Sequence, residues 1–401
     1  MVNVNPKILY WARKTSGLEI EEAVKKLSLS KLSYATSADR LKALESGEEV
    51  PTRQLLVKMA KKYRRPLLIF YLAQPPKRGD RGTDFRKLPI DYSEINDALM
   101  DALLRDINVR QSLLKSVLED EEEFKPLKFV GSISLNTKPK DATDSIRKIL
   151  DINIEDFRAQ DSAEEAFNFL RAKAETAGIF VLLIKNLGSY HTNIGLNIFR
   201  GYALADEIAP FVIINKNDSY GAWSFTLIHE LAHIWLGETG ISGGQSDMKI
   251  EKFCNEIAGN FLLPEGELSE IIIDSSMKFD LLADLISRFS HDRNVSSTMV
   301  TYKLYRAGQL GFELWQKLSK FYHEKWIEGR NKLRKKGRER NGGPNYYVVH
   351  RHSIGTTLIN LVRGCMNEGL LTTSKAGKVL GVKAKKVQNL FDISSSEFTN
   401  N

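Results

Sequence analysis

Apolar residues recur at helical spacing through most of the chain, and the short, nearly unbroken apolar runs cluster between residues 178 and 215. Over residues 5–76 the spacing of Ile8, Leu9, Trp11 and Ala12, then Ala23, Leu27, Leu41, Leu44, Leu55, Leu56, Met59 and Ala60, predicts a compact unit of short helices. Pro51-Thr52 marks a helix start inside it, and Pro75-Pro76 followed by Lys77-Arg78-Gly79 reads as its closing linker. A helix is expected over about 90–118, ending in the acidic run Glu119 to Glu123, which reads as a solvated helix end. Helical patterning returns at Asp141 to Ile149 and Ala163 to Ala177, followed by strands at 178–184, 198–204 and 210–215. Beyond Leu263-Pro264 the pattern is helical again, over Leu281 to Phe289 and Ser297 to Leu304, until Gly308. This order is α+β.

The positively charged stretch Arg330 to Arg340 runs into Asn341-Gly-Gly-Pro344, the composition of a boundary. The expected division is therefore a helical unit at 5–76, a connector at 77–139, a central domain at 140–320, a basic linker at 321–344 and a small helical unit at 345–401. Composition adds little to this. A chain of 401 residues, 42% hydrophobic, has room for two or three cored domains, and a formal charge of +8 favours acidic partners without fixing one. Two distant cysteines, Cys254 and Cys365, supply neither a disulfide framework nor a thiolate zinc cage. The first residues lack a basic start followed by an apolar core, and no apolar run approaches the roughly 20 residues of a membrane span, so a cytoplasmic location is expected.

The chemistry lies in Ser224-Phe-Thr-Leu-Ile-His-Glu-Leu-Ala-His-Ile-Trp-Leu-Gly237. Residues four apart on a helix share a face, so His229 and His233 can both aim a ring nitrogen at one metal ion. Glu230 is rotated about 100° from His229, which suits a proton-handling role beside the metal. The apolar flanks predict a buried helix, with Ser224 as a candidate start and Gly237 as a candidate end.

A third ligand must come from outside this helix. Glu238 sits in a predicted helix end and reads as solvated, while Glu251 and Glu256 both lie in the next helical stretch, 250–264. Spacing alone does not separate those two, but Glu251 shares a sector of the helical wheel with Cys254, Asn255 and Ala258, and Glu256 points elsewhere. Cys254 reads as packing, since a fourth protein ligand would close the site. Tyr220, His191, His350 and His352 are unranked candidates for stabilising an oxyanion, and the strand 211–214 is expected to line a substrate by edge pairing.

His229-Glu-Leu-Ala-His233, followed by Glu251-x-x-Cys-Asn-x-Ile-Ala258 and Leu262-Leu-Pro264, resembles the ImmA/IrrE family of metallopeptidases. The resemblance implies a zincin-like, gluzincin-type central domain with one Zn2+ held by His229, His233 and Glu251, and Glu230 as general base. Cys254 and Ile257 stand where the family usually has Ala and Phe, and neither change touches a ligand. It further implies a protein substrate, a repressor or antitoxin-like regulator, cut to control a mobile element, toxin-antitoxin system or stress response.

The N-terminal stretches 17–27, 39–47 and 51–60 resemble the XRE-type helix-turn-helix, which implies double-stranded DNA as a further partner through a recognition stretch offering Arg40 and Lys42. That stretch has no Asn/Gln pair for reading adenine. A contrasting reading is a DNA-binding regulator or antitoxin whose zincin unit binds metal or a partner without turnover. Intact Glu230 favours catalysis, because a non-hydrolytic module needs no base.

Overall fold

The computed structural model describes residues 4–31, 35–76, 94–120, 125–188, 192–196, 198, 199–239, 245–274, 277–339 and 345–392. The expected acidic tip at 121–123, the linker from 77 to 93, the boundary at 340–344 and His191 lie outside the described residues. The chain divides into two units: residues 1–81, 87–107 and 186–198 form one, and 82–86, 108–185 and 199–401 the other.

The first unit contains α1 (Pro6–Lys14), α2 (Ile20–Leu27), α3 (Ser37–Ser46) and α4 (Arg53–Lys62), and all but α2 begin at a side-chain cap. Asn5 accepts a hydrogen bond from Lys7 N, Thr36 and Asp39 make a reciprocal capping box, and Thr52 accepts from Leu55 N. The apolar positions at helical spacing meet in a core of Ile8, Leu9, Ala12, Leu27, Leu41, Leu44, Met59 and Phe70. The buried Arg13 guanidinium pairs with Glu45 across it at 2.6 Å.

Helix α5 (Glu94–Glu119) belongs to the first unit up to Ile107 and to the second from Asn108. The second unit continues with α6 (Pro139–Leu150), α7 (Ile154–Arg158) and α8 (Ala163–Thr176). Strands β1 (Phe180–Ile184), β2 (Gly201–Leu204) and β3 (Phe211–Asn215) follow, then α9 (Tyr220–Leu236) and α10 (Gln245–Leu262). The sheet order is β1-β3-β2, with β1 parallel and β2 antiparallel to β3. The strand 211–214, expected to present an edge, is therefore the central one, hydrogen-bonded on both sides. The outer strands of the sheet are β1 and β2. Val181, Leu183, Ala203, Val212 and Ile214 form one face and enter the same core as α8, α9 and α10.

Helix α9 is buried on nearly every side, which is why its sequence is apolar all round. Its N-cap is Ser219, whose Oγ accepts from Ala222 N, so the cap lies five residues before the expected one at Ser224. Gly237 ends it at φ 71°, a left-handed conformation that glycine adopts without strain. The last carbonyls of α9 are taken up by the segment before α6: Gly131 N donates to Ile234 O and Ile133 N to Trp235 O, each at 3.1 Å. The end of the expected connector, residues 125–139, is thus packed on the central core, to which it also adds Phe129 stacked on Trp235.

Beyond α10 come α11 (Glu265–Leu268), α12 (Phe279–Asp292), α13 (Ser297–Arg306) and α14 (Phe312–Glu339). The segment expected to be a basic linker from 321 is corrected here: residues 321–339 belong to α14, whose Leu318 and Tyr322 are core residues. Lys, Arg and Glu are good helix formers, and α14 contains no proline, so charge density alone did not break it. Helices α15 (Tyr346–Ile354), α16 (Thr356–Asn367), α17 (Thr373–Val379) and α18 (Val387–Phe391) complete the unit. Helix α15 lies against β1, held by the Arg171 guanidinium of α8, which donates to the carbonyls of His352, Ser353 and Val181 while pairing with Glu175. No helix among the described residues is long and apolar enough to cross a membrane.

Candidate metal centre

The 3.6-residue period of α9 sets His229 and His233 one above the other, and α10 packs antagonistic charge against them. Nε2 of His229 stands 3.2 Å from Nε2 of His233. Glu251 closes the triangle, with Oε2 at 3.3 Å from His229 Nε2 and Oε1 at 3.1 Å from His233 Nε2. Ligands held about 2.05 Å from a tetrahedral zinc lie about 3.3 Å from one another, so the three donors already have the spacing that the ion requires. Among the described residues these three form the group able to hold a metal ion. Glu256 is exposed, Glu238 is not in the group, and Cys254, although buried against His233, is not in it either.

The electrostatics agree with the geometry. Burial works against the Glu251 carboxylate, but hydrogen bonds and charge from His229 and His233 outweigh it and hold the group well below the usual carboxylate range. Burial likewise disfavours a charged His233, yet Cys254, Glu251 and Glu230 together leave its ring well above the ordinary imidazole value. A cation is thus favoured between these groups, whether a proton or a metal.

Three cationic side chains clamp carbonyls at the end of the helix that delivers Glu251. At the end of α10 the Lys303 ammonium donates to Gly259 O and Leu263 O, and Arg158 donates to Leu262 O. Arg147 donates to Phe261 O at 2.7 Å. The Leu262-Leu-Pro264 signature therefore marks a helix end whose orphan carbonyls are gathered by three cations.

Glu230 is 2% exposed, on the side of α9 facing β2. Gly201 makes that approach possible: a Cβ there would fall 2.4 Å from Glu230 Oε1 and 2.4 Å from Thr226 Cγ2. Beside it, Tyr202 is pushed above its usual value by burial and by the Glu230 charge. Gly201, Tyr202 and Thr226 were not singled out by sequence reasoning, because only strand pairing brings β2 to Glu230.

The other candidates lie elsewhere. Tyr220 is in the first turn of α9, about 13 Å along the axis from His229, and is edge-on to Trp223. The His350 ring meets Leu380 O at 3.0 Å, and His352 lies beside Lys216. In the first unit α2 ends at Leu27 and α3 begins at Ser37, and residues 32–34 between them lie outside the described residues. Arg40 pairs with Glu49 at 2.9 Å, whereas Lys42 is exposed.

A family model described as the IrrE N-terminal-like domain, Peptidase_M78, matches residues 175–305. That span runs from the end of α8 through α13 and contains the three donors and Glu230. No curated protein and no solved structure matches the chain.

Proposed function

We propose, from this IrrE-like metallopeptidase domain and its donor group, that the chain is a zinc-dependent endopeptidase acting in the cytoplasm on a protein partner. The observation that carries the reading is the triangle of His229, His233 and Glu251 at zinc-ligand spacing, with the buried carboxylate of Glu230 on the adjoining position of the same helix. Three protein ligands leave a position open, as in catalytic rather than structural zinc sites. Zinc, when bound, brings the pKa of a water to about 7 and polarises a carbonyl.

Glu230 then serves as the proton carrier: its carboxylate takes the proton of the attacking water and returns it to the departing amine nitrogen. Its burial against Gly201 keeps it ordered and away from competing solvent. Strand β2 lies at the sheet edge and adjoins Glu230 through Gly201, so a substrate segment paired along β2 would run past the base.

The partner class follows from the family resemblance: a repressor or antitoxin-like regulator, whose cleavage changes transcription of a mobile element, a toxin-antitoxin system or a stress response. The test is co-expression of wild type or Glu230→Gln with such a regulator. A fragment made only by wild type, with equal zinc in both proteins, supports the proposal; fragments from both remove Glu230 as base.

A further inference from the structure

A second cluster of chemistry lies at the other end of the sheet, where β1 and β3 finish side by side. Lys216 follows the last residue of β3, and its backbone N donates to Ile184 O at the end of β1. Its ammonium is half-buried and donates to Ser353 Oγ on α15 at 2.9 Å. His352, the preceding residue of α15, is also half-buried, and its Nε2 has no hydrogen-bond partner among the described residues. The other positive charges bearing on these two groups are Arg171 of α8, which acts on both, and Lys185 at the end of β1, which acts on Lys216.

Negative charge is scarce there. Glu175 is committed to Arg171 at 2.8 Å, and Glu164, hydrogen-bonded to Tyr220, only partly offsets the cations at Lys216. The imbalance shows in the titrations: burial, then Arg171 and Lys185, bring the Lys216 ammonium down to about 8. Burial, then Lys216 and Arg171, bring His352 down to about 4. A neutral hydroxyl satisfies one of three ammonium protons and supplies no countercharge. An anion would supply both. The ends of parallel strands are also where open sheets present backbone and side chains to ligands.

We propose that Lys216, His352 and Ser353 form a binding site for the phosphate group of a small molecule at the ends of β1 and β3. The Lys216 ammonium and the His352 Nε2–H donate to the phosphate oxygens, and Ser353 Oγ orients the lysine. Only residues 217 and 218 separate Lys216 from Ser219, the N-cap of α9, so the ligand bears on the start of the helix that carries His229 and His233. The site is independent of the peptidase reading, and its test requires no substrate.

The experiment measures melting temperature and calorimetric binding of the full chain with inorganic phosphate, against chloride at equal ionic strength. A saturable phosphate-specific rise in wild type, with affinity lowered at least tenfold in Lys216→Met, supports the site. Without phosphate, Lys216→Met melts at or above the wild-type temperature, because a buried cation has been removed from among cations. A rise matched by chloride, or one kept in Lys216→Met, as binding at the metal would be, overturns the proposal. If that variant does not fold, the His352 ring resonances of wild type decide: they shift on phosphate addition if the proposal holds and stay fixed if it does not. Adenosine monophosphate separates the sources, since tighter binding than phosphate assigns an ester and weaker binding assigns the free ion.

Discussion

The backbone of Gly201 and the carboxylate of Glu230 lie so close that a single methyl group on the glycine would stand 2.4 Å from Oε1. The same methyl would stand 2.4 Å from Thr226 Cγ2, which is held by the buried helix α9 and cannot swing aside as a long side chain can. Overpacking of this kind costs about 1–3 kcal/mol. Gly201→Ala should therefore slow cleavage about tenfold or more by displacing Glu230, while zinc content stays at the wild-type level. Unchanged turnover would show that Glu230 has room that the geometry denies it.

Zinc uptake should depend on pH through His233. In the metal-free chain its ring is protonated well above the usual imidazole range, and only the neutral ring is a ligand. Glu251 is ionised throughout and adds no proton of its own. Apparent zinc affinity should rise with pH across the neutral range, with at least one proton released per ion. Chelator competition at pH 6, 7 and 8 checks this, and equal affinities at the three values would contradict it.

Lys303 gathers the carbonyls at the end of α10, and burial lowers its ammonium to about 8 from an ordinary value near 10.5. Because the folded value is the lower one, the unfolded chain binds more protons between those two values. Stability attributable to this group is therefore smallest below about pH 8 and grows toward 10.5. Lys303→Met loses the bonds to Gly259 and Leu263, at about 1–3 kcal/mol for carbonyls left unsatisfied, so its melting temperature should fall. Its gap below wild type should widen as pH rises from 8, measured by thermal unfolding. A constant gap would place the Lys303 charge in solvent.

How much of this was legible in the sequence follows from the range of each interaction. The helix bearing His229 and His233, the strands near 180–184 and 211–215, and Glu251 in preference to Glu256 are all visible because a 3.6-residue period and a short unbroken apolar run are local patterns. Sheet order is not local. Nothing within 211–214 shows that β1 and β2 both pair with it, so the edge strand was misplaced, and with it the neighbours of Glu230. Ser219 was passed over as a cap because the apolar pattern becomes dense only after Tyr220-Gly-Ala. The length of α14 was hidden by its charge, which resembles a linker in composition and a helix in propensity. The cluster around Lys216 and His352 joins residues separated by more than a hundred positions, so no local pattern announces it.

The central claim, that His229, His233 and Glu251 hold one catalytic zinc, is tested most directly by metal analysis of purified protein. Wild type and Glu256→Gln should each carry about one zinc per chain, and Glu251→Gln should lose most of it while keeping its helical circular dichroism. Equal zinc in Glu251→Gln and Glu256→Gln, or the reverse ranking, would contradict the account.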